Sequence, residues 1–213
     1  MAVKICGVTQ REQALAIAEL GADYIGINFW PRSKRYLAPE KAAAWMREVP
    51  ASTRLIGVFV DPEPAYVEEI ASSGLLSHVQ LHGDESPEFC ASLAERGLRV
   101  LKAIQVRDEA SLDAIAPYAV ADILLDAYHP QERGGIGETF PWELATSFKR
   151  RYPERSLWLA GGLTPGNISQ AVLGVSPYAV DVASGVESGA AGVKDMEKVA
   201  RFIRGARTKR IYN

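Results

Sequence analysis

The chain has 213 residues, 47% apolar and 23% charged, with a formal charge of −2. That is the make-up of an ordinary globular domain with enough length for one full core, and it disfavours disorder, a nucleic-acid surface or an anionic-membrane surface. No apolar run reaches the roughly 20 residues of a membrane helix. Met1 leads almost at once into a strand-like run with no room for a signal peptide, so the cytoplasm is the expected compartment.

In chain order, short β-rich runs fall at Val3 to Cys6, Tyr24 to Phe29, Arg54 to Val60, His78 to Leu81, Val100 to Ile104, Ile123 to Asp126, Leu157 to Ala160 and Ala179 to Ala183. Between them lie stretches such as "TQREQALAIAEL" and "SPEFCASLAERG", with apolar residues at helical spacing after a Thr or Ser able to cap a helix. Gly21, Gly74 and Gly97 follow such stretches, where a helix ends in a left-handed residue. Eight successive β-then-α units predict an α/β fold, a single (β/α)8 TIM barrel of parallel strands covering residues 1–213. An open doubly wound sheet is the alternative, but no GxGxxG follows an early strand.

In such a barrel the chemistry sits where the strands end. The strand exits here carry Cys6, Asn28, Asp61, His82, Gln105, Asp126, Gly161 with Gly162, and Ser184 with Gly185. Cys6 closes "VKIC" before Gly7: it is either a packed strand cysteine or a thiol that neighbouring positive charge turns into a base. Asp126 ends the apolar run "DILLDA" and needs either a structural partner, a backbone N–H or an Arg, or a task as a general acid with a raised pKa. "AGGLTPGN" and "ASGVESG" follow the seventh and eighth strands, where phosphate-binding barrels present backbone N–H groups, although Gly turns also merely join elements. "PRSKRY" hangs Arg32, Lys34 and Arg35 over the same mouth, as a solvated face or as a carboxylate clamp. "HPQERGGIGETFPW", with Gly134, Gly135 and Gly137, has the make-up of a lid or of an irregular connection. Cys6 and Cys90 lie far apart, and with His78, His82 and His129 they show no metal-ligand spacing; no disulfide and no metal site is expected.

"KICGVT", "GINFWPRSKRY", "VQLHGDE", "LLDA", "GGIGETFPW", "LAGGLTPGN" and "DVASGVESGAAGVKD" occur in order from near Met1 to about Asp195, and with them the chain resembles the phosphoribosylanthranilate isomerases of tryptophan biosynthesis. The resemblance implies a cofactor-free barrel that turns N-(5-phosphoribosyl)anthranilate into 1-(o-carboxyphenylamino)-1-deoxyribulose 5-phosphate by an Amadori rearrangement. It puts the general base on Cys6, the general acid on Asp126, the anthranilate carboxylate on Arg35 and the phosphate on Gly161, Gly162, Ser184 and Gly185. His82 and Asp181 fall on family positions as supporting residues. Glu138 stands where the family commonly has Lys, and Pro141 where it commonly has Asp. The implied partner is a small phosphoribosyl substrate, without nucleic acid or membrane, bound by a monomer or homodimer. Two readings stay open beside it: another sugar-phosphate isomerase or epimerase, and a phosphosugar-binding barrel without turnover.

Overall fold

The structure is a computed structural model that describes residues 1–128 and 140–208. Eight parallel strands close into one barrel in sequence order: β1 Ala2–Cys6, β2 Tyr24–Asn28, β3 Arg54–Phe59, β4 Leu76–Leu81, β5 Val100–Val106, β6 Asp122–Ala127, β7 Ser156–Leu159 and β8 Ala179–Val182. Closure is made by β1 against β8, with Val3 beside Val180 and Lys4 beside Asp181. The expected TIM barrel is the observed fold.

Seven α-helices wrap the described part: α1 Arg11–Glu19, α2 Pro39–Met46, α3 Pro64–Ala71, α4 Pro87–Glu95, α5 Trp142–Arg151, α6 Ile168–Val175 and α7 Met196–Ala206. The expectation of eight equal β-then-α units needs one correction. The fifth connection is a 3-10 helix, Glu109–Ile115, started by a reciprocal cap in which the Asp108 side chain accepts from the Ser111 N–H. Of the two expected caps, Ser86 accepts from the Phe89 N–H at 3.1 Å and starts α4. Thr9 does not cap α1: its hydroxyl donates to the Gly192 carbonyl at 2.9 Å and ties the β1 exit to the β8 loop. Gly21, Gly74 and Gly97 all have positive φ at helix ends, as the sequence predicts.

Side-chain alternation divides each strand into an outer face under the helices and an inner face in the barrel lumen. Ring contacts between strands that are not neighbours identify the inner face: Tyr24 of β2 lies 4.9 Å from Trp158 of β7, and His78 of β4 lies 5.8 Å from that same ring. Ile56, Leu101, Ala103, Leu124, Ala160 and Ala179 complete this inner cluster. The much larger outer cluster, from Val3 and Ile5 to Phe202 and Ile203, seals sheet to helices. Strand register then places Cys6, Gln105 and Asp126 on the inner face at the C-terminal end.

The N-terminal end of the lumen is closed by a polar plug. Asp122 accepts from Arg99 Nε at 2.8 Å and from the Trp158 indole N–H at 3.2 Å, and lies 4.0 Å from His78 Nε2. Burial, reinforced by Arg99 and Arg54, pulls the His78 imidazole down to about 4, against the pull of Asp122. The unfolded chain therefore takes up the proton more readily than the fold does. The stability this represents is complete above the ordinary histidine value of 6.5 and is lost as pH falls toward 4. Replacing His78→Asn should flatten the fall in melting temperature between pH 6.5 and 4, a term worth roughly 3 kcal/mol at its full extent. An unchanged slope would show that other groups carry the acid sensitivity.

Candidate active site

β1 ends in Cys6, and the next residue, Gly7, turns with φ +72°. A side chain could not stand at Gly7: a Cβ there would lie 2.4 Å from Arg35 Cδ. The missing side chain lets Arg35 lie across the β1 exit at Gly7. The loop that brings it there leaves β2 and returns through a bridge between Asn28 and Tyr36, with the Leu37 N–H donating to the Asn28 carbonyl at 2.9 Å. Arg32 and Lys34 stay exposed on this loop, so Arg35 alone of the three basic residues turns inward.

Arg35 has a carboxylate partner within the protein. Its guanidinium is held bidentately by Glu187 of the β8 loop, Nε to Oε1 at 2.7 Å and Nη2 to Oε2 at 2.8 Å. Glu187 also accepts from Lys194 Nζ and from the Gly192 N–H, each at 2.9 Å. Burial works against this carboxylate, but Arg35, Lys194 and the Gly192 N–H outweigh it and hold its pKa at about 2. The sequence reasoning passed over Glu187 and Lys194. Their signal was present: two opposite charges in an otherwise small and apolar run, "SGVESGAAGVK".

Lys4 was passed over too. It stands two residues before Cys6, so both face the lumen, and Lys4 Nζ donates to both oxygens of Asp181 at 3.0 Å. Burial depresses the ammonium, while Asp181 and the thiol more than restore it, leaving Lys4 raised overall. Cys6 moves opposite to expectation. Burial pushes the thiol up and Asp181 adds to it; Lys4 and Lys194 pull down without overcoming them. Positive charge is present, but desolvation is the larger effect. Lys4 is thus the group that limits how far burial keeps the thiol protonated.

Across the mouth, Asp126 at the end of β6 has partners other than the arginine considered from sequence. Its Oδ1 accepts the Ala127 N–H at 2.9 Å, and its Oδ2 lies 3.2 Å from His82 Nε2. His82 is in turn 2.9 Å from the Gln80 amide nitrogen. Gly161, φ +79°, passes so close that a Cβ would lie 3.2 Å from Asp126 Oδ1 and 2.7 Å from the Ala127 nitrogen. Gly185 of the β8 loop packs as tightly against Leu163 of the β7 loop, where a Cβ would overlap the carbonyl oxygen at 2.0 Å. The two glycine turns are therefore one continuous rim. Among the described residues the Gly161 and Gly162 N–H groups donate to no backbone carbonyl outside the strands, the condition an anion cradle needs.

Two other strand exits make structural contacts. Asp61, φ +44°, accepts from the Asp84 N–H and fastens the β3 loop to the β4 loop, while the Asn28 side chain accepts from the Trp30 N–H. Cys90 is buried in α4. Gly134, Gly135, Gly137, Glu138 and His129 lie outside the described residues; Pro141 stands at the start of α5.

A family model described as N-(5'-phosphoribosyl)anthranilate (PRA) isomerase matches residues 3–205. The chain belongs to that family. It is 49% identical to the N-(5'-phosphoribosyl)anthranilate isomerase of Geobacter sulfurreducens, over 96% of this chain and 98% of that one. Among solved structures it resembles the phosphoribosyl anthranilate isomerase of Thermotoga maritima at 42% identity and a TM-score of 0.89, covering 97% of this chain and 98% of that one. A second similar structure is a phosphoribosyl anthranilate isomerase in complex with reduced 1-(o-carboxyphenylamino)-1-deoxyribulose 5-phosphate, at 38% identity and a TM-score of 0.84, covering 97% of this chain and 98% of the other. No helix among the described residues is long and apolar enough to cross a membrane.

Removing Lys4 should both destabilise the lumen and silence the thiol. Lys4→Met leaves Asp181 buried without its cation, a loss of about 3–5 kcal/mol that Lys4→Met with Asp181→Asn should largely recover. In the single variant the alkylation rate of Cys6 should rise only at higher pH than in the parent, because one pull toward thiolate is gone and the Asp181 charge remains. An unshifted alkylation profile would dissociate Lys4 from the thiol.

Proposed function

We propose that the chain isomerises N-(5'-phosphoribosyl)anthranilate to 1-(o-carboxyphenylamino)-1-deoxyribulose 5-phosphate in tryptophan biosynthesis, with Asp126 as general acid and Cys6 as general base. The observation that carries this reading is the pairing, on the inner face of one barrel mouth, of a thiol beside a buried ammonium with a hydrogen-bonded carboxyl against the glycine rim. Asp126 gives its proton to the ribose ring oxygen; the C1–O bond breaks and the anthranilate nitrogen lone pair forms the iminium. The iminium acidifies the neighbouring C–H, so a base of modest strength is sufficient. The Cys6 thiolate takes the C2 proton, and the C–H electrons form the C1=C2 bond of an enolamine. Tautomerisation moves the hydroxyl proton from C2 and delivers one to C1, which gives the ketone and returns acid and base to their starting states.

Gly161, Gly162, Ser184 and Gly185 bind the phosphate through the rim, and Arg35 binds the anthranilate carboxylate. Glu187, on the Nε–Nη2 edge of Arg35, keeps the guanidinium plane in place for that contact. Asp181 supports the base through Lys4, and His82 supports the acid. The reaction uses no cofactor or metal, and the protein acts as a cytoplasmic monomer or homodimer.

Asp126→Asn and Cys6→Ala should each lower kcat by roughly 10²- to 10⁴-fold with little change in KM, the usual worth of a placed proton-transfer group. Arg35→Met should act mainly on KM. The assay is the loss of anthranilate fluorescence on fresh substrate. Near-parental turnover in either of the first two variants would refute the assignment, and tight association without product in the parent would favour a binding barrel.

A further inference from the structure

Gln80 is a buried polar side chain below the mouth that this mechanism does not use. It lies in β4 two residues before His82, on the same face, and is 1% exposed. Its amide nitrogen is 2.9 Å from His82 Nδ1, while its carbonyl oxygen has no hydrogen-bond partner among the described residues. A buried carbonyl without a donor is costly, so the orientation of this amide calls for a reason.

The hydrogen-bond chain supplies one. An amide nitrogen only donates, so His82 Nδ1 must accept, and the single proton of the neutral ring then sits on Nε2. Nε2 faces Asp126 Oδ2 at 3.2 Å. His82 therefore donates to one oxygen of Asp126 while the Ala127 N–H donates to the other. Turning the amide over would put the proton on Nδ1 and set a bare Nε2 lone pair against the carboxylate, while orphaning an N–H in place of the carbonyl. Only the observed orientation suits an ionised Asp126.

We propose that Gln80 is a positioning residue that fixes His82 as an Nε2–H donor, so that the carboxylate left when Asp126 gives its proton to the ring oxygen is stabilised as it forms. The inference rests on the reading of Asp126 as the acid. Its effect falls on the charge that develops during ring opening and hardly on ground-state binding.

Nitrogen-15 NMR of the histidine rings in the wild-type protein near neutral pH should show His82 with a bare Nδ1 and a protonated Nε2. A protonated Nδ1 on a neutral ring would overturn the proposal without any variant. Gln80→Met, similar in length and unable to donate, should shift His82 toward the Nδ1–H tautomer and lower kcat by roughly 10- to 100-fold, the usual worth of a supporting partner, with KM unchanged. Gln80→Glu, which can accept but not donate, should not rescue kcat. Parental kcat in folded Gln80→Met, with Asp126→Asn still inactive, would sink this inference alone. Parental kcat in Asp126→Asn would remove the acid reading, and this inference with it.

Discussion

The pairing of β1 with β8 is the constraint on which the site depends. Closure sets Lys4 beside Asp181 in register and brings the β1 exit against the β8 loop. Without it Lys4 would be a buried ammonium with no counter-ion, and the cation beside the thiol two residues on would lose the partner that keeps it charged. The same seam joins Thr9 to Gly192 and Arg35 to Glu187. One backbone ladder therefore fixes the electrostatics of Cys6 and the plane of Arg35 together.

The charges of the mouth are arranged as pairs that draw separate elements together. Lys4 with Asp181, Arg35 with Glu187 and Lys194, and His82 with Asp126 each span two strands or their loops. Buried pairs of this kind add little net stability, because desolvation consumes much of the attraction, but removing one partner is severe. Their value is in orientation. A guanidinium held by a carboxylate cannot swing, and an imidazole held by an amide cannot change which nitrogen bears the proton. Preorganisation of this sort is what lets a rigid barrel place charge where a reaction develops it.

Cys6 shows how opposing effects are decided by magnitude. Two lysines and one carboxylate act on it, yet burial gives the sign of the shift. Burial that favours the thiol over the thiolate slows adventitious oxidation and alkylation, since the thiolate is the reactive form. A base that acts on an iminium needs only modest strength because the C–H is already acidified, but the thiol must first release its own proton, and Lys4 and Lys194 are the groups that favour the ionised form.

By itself the sequence determined the number and order of the strands, the helix-ending glycines and the residues at the strand exits. Those follow from local rules: β-rich runs, helical spacing and the backbone freedom of glycine. Cys6, Asp126, Arg35 and the paired glycine turns were legible because a barrel presents its strand ends at one mouth. The partners of those residues were not legible. That Glu187 grips Arg35, that Lys4 lies between Asp181 and Cys6, and that Asp126 meets His82 and not an arginine are contacts between segments 44 to 177 positions apart. Tertiary structure alone decided them, because closure and register choose which inward-facing charges meet, and burial then sets which protonation state each one keeps.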